Sequence, residues 1–347
     1  MDATGSIVGD RAAIGFTIRS PHSYRDHDPA TYCSLRGTFE PTSRGVGMAI
    51  GDVFAVEGCP DLHYVDTGMY DTPEYGAVYI LDAERPALID TGIGTRYENI
   101  LASLDTVGID REDLEYVLPT HVHLDHAGGA GYLAAACPNA TVMTHEIGVP
   151  HLIDPEALVA GTKAAVEEQW NFYAEPKPVP EDRIEGLAGG DAIDLGDRTL
   201  DVHHAPGHAP HQVTFHDRAS DALFTADAAG IWIPEIERIR QTSPPSNFDL
   251  GACLADVETI REIEPDVLCF GHFGPREYDD ALMTEYARVL EEWVTAVADK
   301  RAELGGDEAV IEHFVETSEM VETWGERKAR AEERLNTRGV LGYLDEQ

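Results

Sequence analysis

Lysine is scarce in this chain, and basic residues of either kind are few. Lysine occurs only as Lys163, Lys177, Lys300 and Lys328. The 25 Lys and Arg residues are outnumbered by 64 Asp and Glu residues among 347, which gives a formal net charge of -39. Such a charge repels phosphate backbones and anionic lipid surfaces. We therefore expect a small-molecule substrate, and neither a nucleic acid nor a membrane as a partner.

The acidic residues are dispersed along the chain rather than gathered in one block. Concentrated salt screens the mutual repulsion of such charges. The composition therefore predicts a cytoplasmic protein with the acidic surface of a halophile. An ordinary acidic protein is the alternative interpretation.

Cysteines are also few, and their number is odd. They are Cys33, Cys59, Cys137, Cys253 and Cys269, without any Cys-x-x-Cys pair. This pattern argues against a disulfide framework and favours a reducing compartment. No run approaches the roughly 20 apolar residues that span a bilayer. The N-terminal residues lack the apolar core of a secretory signal.

Metal-binding side chains are concentrated in the run His121-Val122-His123-Leu124-Asp125-His126. Imidazole and carboxylate groups are the ligands that Zn²⁺, Fe²⁺ and Mn²⁺ accept. In an extended segment, alternate side chains share a face, so the first two histidines and Asp125 are expected on one side. His126 can reach a different point if the chain turns at Gly128-Gly129. The run predicts a site for two nearby metal ions, and a His-rich surface loop is the alternative.

Four other segments place an Asp or a His at the end of an apolar run or shortly after one. They are Asp90 after residues 87–89, His208 after Pro206-Gly207, Asp227 after residues 223–226, and His272 after residues 267–271. Each segment alone is a weak signal, because an Asp at a strand end is usually a cap. Five segments in this order are very unlikely to arise by chance.

The order of these motifs resembles the metallo-β-lactamase superfamily, most closely its glyoxalase II-like hydrolases, over about residues 48–274. The resemblance implies an α/β fold, the αββα sandwich, with two divalent metal ions. Zn²⁺ is the expected metal, with Fe or Mn as alternatives. Carried over residue by residue, the resemblance implies a first ion at His121, His123 and His208, a second at Asp125, His126 and His272, and Asp227 bridging both. Asp90 would orient the ligand loop without binding a metal ion itself.

The predicted function is hydrolysis of a small thioester, lactone or related ester by a metal-bridging hydroxide. A single Zn²⁺ can lower the pKa of bound water from about 15.7 to about 7. Asp125 is the predicted catalytic residue, because a carboxylate beside the nucleophile can orient or shuttle its proton. His211, within one turn of His208, and Phe273, beside His272, are candidates to face the substrate.

Other interpretations stay open. A mononuclear iron persulfide dioxygenase of the same fold would use a subset of the ligands, and the presence of Asp125, His126 and His272 together argues against it. A nuclease is opposed by the net charge, and a non-catalytic metal-binding scaffold by the complete ligand set. No basic pattern typical of glutathione binding is recognised in the C-terminal part. A homo-oligomer is compatible with the sequence.

Three regions are predicted from the patterning. Residues 1–46 lack periodicity and predict a flexible or loosely attached N-terminal arm. Residues 47–278 alternate strand and helix patterns and form the predicted catalytic domain, with a helical insertion at 146–175. Residues 279–347 carry only helical stripes and predict a C-terminal helical segment. Its third helix is expected at 318–335, followed by a short apolar tail at 340–344.

Overall fold

The structure is a computed structural model and describes residues 49–347. The arm predicted at residues 1–46 lies outside these residues. The described strands are β1 (Val53–Val56), β2 (Cys59–Asp66), β3 (Ala77–Leu81), β4 (Ala87–Ile89), β5 (Tyr116–Leu118), β6 (Thr141–His145), β7 (Ile184–Leu187), β8 (Ala192–Asp194), β9 (Thr199–His204), β10 (Val213–Asp217), β11 (Ala222–Ala226), β12 (Ile231–Ile233), β13 (Arg238–Arg240), β14 (Val267–Phe270) and β15 (Gly274–Glu277). The described α-helices are α1 (Tyr97–Val107), α2 (Leu124–Ala127), α3 (Ala130–Ala136), α4 (Val149–Ile153), α5 (Glu156–Val166), α6 (Leu250–Ile263), α7 (Asp280–Leu304), α8 (Asp307–Glu316) and α9 (Val321–Asp345).

The first sheet contains seven strands, arranged in chain order from β1 to β7. Strands β1 to β4 are antiparallel, and β4 to β7 are parallel. Parallel neighbours need crossover connections, which the helices α1 to α5 supply. The carboxyl ends of β4 and β5 therefore lie at one edge, where Asp90 follows β4 and the histidine run follows β5.

The second sheet contains six strands in the order β15-β14-β11-β10-β9-β8. Only β11 and β14 pair in parallel, and α6 lies in the chain between them. Asp227 directly follows β11, and His272 lies two positions after β14. The parallel pairing therefore delivers both side chains to the same edge of this sheet. Strands β12 and β13 form a separate antiparallel hairpin.

The two sheets face each other across a core of large apolar side chains. Tyr79 and Leu118 of the first sheet pack there with Phe215 and Phe224 of the second, and all four are at most 2% exposed. Helices α1 and α3 cover the outer face of the first sheet. Helices α6, α7 and α8 cover that of the second. This helix–sheet–sheet–helix order confirms the predicted αββα sandwich and the C-terminal helices.

Two helical boundaries differ from the predicted ones. The insertion at 146–175 is not one helical run, because it divides into α4, α5 and a 3₁₀ helix at Glu167–Phe172. Pro155 separates the first two pieces, since the residue before a proline disfavours helical geometry. The apolar tail is not separate either, because α9 continues to Asp345. Val340 and Leu341 in that tail pack into the core outside the second sheet. Among residues 49–347, no helix combines the length and apolarity needed to cross a bilayer.

Candidate metal centre

The histidine run begins extended and then enters a helical turn. Strand β5 ends at Leu118, His121 and His123 follow, and His123 stands at the N-cap of α2. Asp125 and His126 are therefore on helical backbone. The prediction that Asp125 would share a face with His121 and His123 through extended geometry was wrong, because the alternation of side chains ends where the helix begins.

Three imidazoles form the first group of candidate ligands. The Nδ1 atom of His123 lies 3.1 Å from Nε2 of His121 and 3.0 Å from Nε2 of His208. A neutral imidazole has one donor nitrogen and one acceptor nitrogen. Three ring nitrogens turned towards one point therefore cannot all be satisfied by one another. Ligand nitrogens around a tetrahedral zinc ion, bound at about 2.0–2.1 Å, lie roughly 3.3 Å apart, so this spacing fits a metal ion.

The second group joins the helical turn to the segment after β14. Nε2 of His126 lies 3.1 Å from Nε2 of His272. Nε2 of His272 lies 3.8 Å from Oδ2 of Asp125. Two nitrogens and a carboxylate oxygen thus face a second point, beside the first group.

Asp227 stands between the two groups, with one oxygen towards each. Its Oδ2 lies 3.0 Å from Nε2 of His208 and 3.8 Å from Nε2 of His121. Its Oδ1 lies 3.6 Å from Nε2 of both His126 and His272. Asp227 is 3% exposed, and Oδ1 has no hydrogen-bond partner among the described residues. A buried carboxylate oxygen without a partner is costly, and a cation between the groups would compensate that cost.

Four of the five histidines are oriented through their other ring nitrogen. The contacts are His126 Nδ1 to Asp90 Oδ2 at 2.8 Å, His272 Nδ1 to the Tyr75 carbonyl at 2.8 Å, His121 Nδ1 to Thr120 Oγ1 at 3.2 Å, and His208 Nδ1 to Thr242 Oγ1 at 3.4 Å. Such outer contacts fix the ring orientation of metal ligands and raise their basicity. Asp90 also accepts hydrogen bonds from the backbone N–H and hydroxyl of Thr120, each at 2.8 Å. It therefore ties the end of β4 to the start of the ligand run.

Burial keeps most of these imidazoles neutral, which is the form that binds metal. Burial and the neighbouring imidazoles hold the pKa values of His121 and His208 well below the usual range. Burial lowers the pKa of His123 to about 4. His126 differs: burial opposes its charge, but the carboxylates of Asp90 and Asp227 outweigh burial and raise its pKa to about 10. A divalent cation at this position would therefore replace a proton.

Acid is expected to destabilise the metal-free protein between pH 6.5 and about 4. In this window the unfolded chain takes up a proton at His123 that the folded chain does not, so the folded state loses stability as the pH falls. His121 and His208 contribute with the same sign. His126 has the opposite sign: its contribution is present below pH 6.5 and is lost as the pH rises towards 10. Thermal unfolding of chelator-treated protein across this range measures the slopes.

A variant isolates the part of this acid effect that His123 contributes. His123→Asn lacks the proton uptake at that position, so its unfolding temperature should fall less than that of the wild type between pH 6.5 and about 4. Equal acid sensitivity of the two proteins would contradict the assignment. Other groups contribute to the pH dependence with the opposite sign, such as Asp256, whose pKa burial raises to about 7. They are present in both proteins, so their contribution cancels when the variant is compared with the wild type.

A cavity of about 630 Å³ opens directly over the metal-binding groups. Five of the candidate ligands line it: His123, Asp125, His208, Asp227 and His272. One wall is α5, which presents small or apolar side chains such as Ala157, Leu158, Gly161 and Ala165. The loop at residues 244–247 also lines the cavity. The insertion between β6 and β7 thus shapes the space in which a substrate would lie.

Sequence reasoning missed another part of the cavity wall. It is formed by Tyr70, Tyr75, Tyr173, Lys328 and Glu332. These residues lie far apart in the chain, and none belongs to a ligand motif. Gln169, 5% exposed, also lines the cavity, and its Oε1 atom has no hydrogen-bond partner among the described residues. Only the three-dimensional arrangement distinguishes these side chains from ordinary core residues.

The two candidate substrate-facing residues have different surroundings. His211 lines the cavity, and its ring is stacked on that of His121 with centroids 6.1 Å apart. Its Nδ1 accepts a hydrogen bond from the backbone of Val122, and burial lowers its pKa to about 2. Phe273 instead lies in the core between the sheets, 4% exposed and packed edge-on against Tyr64. The prediction that Phe273 faces substrate is therefore wrong, because its side chain packs in the core between the two sheets.

Comparison with known protein families matches residues 71–272 to the metallo-β-lactamase superfamily. The chain belongs to this superfamily. The match spans every candidate ligand from His121 to His272, and it ends before α7. The superfamily predicted from the motif order is thus confirmed.

Among the relatives is a metallo-β-lactamase fold-containing protein of Sulfurisphaera tokodaii, 26% identical over 62% of this chain and 79% of that protein. The acyl-coenzyme A thioesterase MBLAC2 of Homo sapiens is 29% identical over 48% of this chain and 62% of its own length. An N-acyl homoserine lactonase of Bacillus sp is 24% identical over 60% of this chain and 85% of that enzyme. With the family match, these names confirm the prediction of a metal-dependent hydrolase.

A solved structure shows the same fold. The crystal structure of an archaeal metallo-β-lactamase superfamily protein from Sulfolobus tokodaii aligns with a TM-score of 0.61 at 22% identity. The alignment covers 82% of this chain and 99% of that one. At 22% identity, the likeness shows a shared fold alone.

Proposed function

We propose that the protein is a dinuclear zinc hydrolase of the glyoxalase II-like kind, which cleaves acyl thioesters or lactones. The observation that carries the proposal is the position of Asp227, whose two oxygens face two separate sets of imidazoles. A carboxylate between two ions satisfies both oxygens at once. A single ion would leave Oδ1 without a partner.

The proposed ligands follow the two groups. His121, His123 and His208 would hold the first ion, and Asp125, His126 and His272 would hold the second, with Asp227 available to both. The preponderance of imidazole nitrogen favours zinc over metals that prefer oxygen ligands, although iron and manganese also accept this set. When bound, ions at these two positions would lower the pKa of a water that could act as nucleophile, and would stabilise negative charge on a substrate oxygen.

Asp125 is the proposed proton-handling group. It is the most exposed of the carboxylates at the site, with its side chain 26% exposed, and it lines the cavity. Burial opposes its ionisation, but the imidazoles of His126, His272 and His123 lower its pKa, so it is ionised at neutral pH. An ionised carboxylate in the cavity lining can orient the attacking water and accept its proton.

The cavity supports an acyl substrate. Ala157, Leu158 and Val166 offer an apolar wall beside the metal-binding groups, which suits a hydrocarbon chain. The named activities of the thioesterase and lactonase relatives both concern acyl compounds. A persulfide dioxygenase with one iron is disfavoured by the complete second group of ligands.

A substrate panel tests this function. Zinc-loaded protein in concentrated salt should hydrolyse an acyl-coenzyme A thioester or an N-acyl homoserine lactone, and should leave a phosphodiester intact. Chelation should abolish the turnover, and added zinc should restore it. Oxygen uptake by iron-loaded protein with a persulfide, without ester hydrolysis, would contradict the proposal.

We also propose that the protein works inside the cell in concentrated salt. The composition supports this, with 64 acidic and 25 basic residues. The cysteines of the described part, Cys59, Cys137, Cys253 and Cys269, are buried and unpaired. The unfolding temperature should therefore rise with potassium chloride concentration, because screening reduces repulsion among the carboxylates.

A further inference from the structure

The C-terminal helix α9 reaches the metal-binding cavity from outside the family-matched region. The family match ends at residue 272, whereas α9 spans Val321–Asp345. Lys328 and Glu332 of α9 nevertheless line the cavity beside His272 and Asp125. Both α9 side chains are 4% exposed, so they belong to the interior although they carry charge.

A continuous set of contacts joins these α9 residues to a candidate metal ligand. The ammonium of Lys328 pairs with Glu332 Oε2. The hydroxyl of Tyr75 donates to the same oxygen at 2.9 Å. The backbone carbonyl of Tyr75 accepts the hydrogen bond from His272 Nδ1 at 2.8 Å. Tyr75 therefore contacts α9 through its side chain and His272 through its main chain.

The ring of Tyr75 is confined from several directions. Its centroid lies 4.9 Å from that of His272 and 5.5 Å from that of Trp324, which meets it edge-on. The ammonium of Lys328 lies 3.9 Å from the centroid, a cation–π contact. Glu332 is itself held, because Asn336 Nδ2 donates to its Oε1 at 2.9 Å. The position of Tyr75 thus depends on α9.

The buried Lys328–Glu332 pair is not explained by stability alone. Removing two charges from water costs about as much as their attraction returns, and apolar replacements are often as stable. What the pair provides here is a fixed carboxylate oxygen for the Tyr75 hydroxyl. An outer contact made directly to a metal ligand, as the Tyr75 carbonyl makes to His272, typically changes metal affinity about 10–100-fold when it is removed.

We propose that Tyr75 is a positioning residue for His272, held in place by Glu332 and Lys328, so that α9 sets the affinity of the second metal position. This inference rests on the dinuclear centre proposed above. It gives the C-terminal helical segment a direct role at the site, in addition to covering the second sheet.

Tyr75→Phe tests the inference with the smallest change, because it removes the hydroxyl and retains the ring. Zn²⁺ and Co²⁺ titrations of chelator-treated full-length protein give the affinity of each of the two positions. We expect the affinity of the position that contains His272 to fall about tenfold and that of the other position to stay unchanged. The Co²⁺ absorption of that position should also change, because the Tyr75 carbonyl that orients His272 would be held less firmly.

Two double variants separate positioning from charge burial. Lys328→Met with Glu332→Gln removes both charges but keeps an acceptor for the Tyr75 hydroxyl, and should bind the second ion nearly as tightly as the wild type. Lys328→Met with Glu332→Leu removes the acceptor as well and should show the same loss as Tyr75→Phe. Circular dichroism and thermal unfolding establish that each variant is folded before its titration.

Arg330→Met is the matched control. Arg330 and Glu326 form a pair of the same i,i+4 spacing on the same helix, but with side chains 49% and 67% exposed. Its metal affinities should equal those of the wild type. Unchanged binding of both ions by Tyr75→Phe and by the Glu332→Leu double variant would overturn the positioning role alone. A wild-type protein that binds fewer than two ions would overturn the proposed centre, and the inference with it.

Discussion

Replacing Asp227 by alanine is expected to remove both metal ions and to lower turnover by about three orders of magnitude or more, since the water that attacks would return to a pKa of about 15.7. The reason is the shared position of Asp227, which lies within 3.8 Å of four ligand nitrogens from both groups. No other described carboxylate faces both groups. Elemental analysis of the purified variant and thioester turnover measure the two effects.

The folded state should survive this substitution. The oxygen Oδ1 is already without a hydrogen-bond partner, so its removal leaves no new unpaired group at that atom. Asp217→Asn is a suitable control, because Asp217 is also fully buried but lies at the end of β10, at the opposite end of the second sheet from the site. It should cost stability and leave metal content unchanged. An Asp227→Ala protein that retains one tightly bound ion and most of its turnover would contradict the bridging role.

Replacing Gly207 by alanine should both destabilise the protein and weaken the first metal position. An added Cβ would lie 2.2 Å from the backbone nitrogen of Cys253 and 2.4 Å from its Cα, in helix α6. Backbone atoms cannot rotate aside, so the loop that carries His208 must shift. Crowding of this kind costs about 1–3 kcal/mol. The hydrogen bond from Gly207 N–H to Asp256, now 2.7 Å long, would be strained as well.

Urea unfolding and zinc titration measure the two consequences of Gly207→Ala. Gly342→Ala provides the control, because an added Cβ there meets no atom within 4 Å and lies within α9. Alanine should stabilise that helix by up to about 1 kcal/mol and leave zinc binding unchanged. Wild-type stability and zinc affinity in Gly207→Ala would show that the close approach of loop and helix does not position His208.

The candidate ligands could be selected from the sequence because their positions follow from topology. Asp90, Asp227 and His272 each follow an apolar strand, and strands that run in parallel bring their carboxyl ends to one edge. The motif order therefore carries three-dimensional information. The alternation expected for Asp125 failed, because α2 begins at Leu124 and the two-residue repeat of a strand stops there.

There is a physical reason why the contribution of α9 to the cavity wall could not be predicted from the sequence. Lys328 and Glu332 have the i,i+4 spacing of an ordinary surface ion pair on a helix rich in Glu and Arg, as have Glu326 and Arg330. Only burial distinguishes the two pairs, and burial depends on how α9 packs. For Phe273 the sequence predicted a role at the site, but its side chain lies in the core between the sheets. Proximity to His272 in sequence does not decide which way a side chain points.

The metal content of the full-length protein tests the central claim most directly. Protein purified in concentrated salt, supplied with zinc and then desalted, should retain about two zinc ions per chain by elemental analysis. Asp227→Ala carried through the same procedure should retain almost none. A wild-type stoichiometry of one ion or none would contradict a dinuclear centre built on the two oxygens of Asp227.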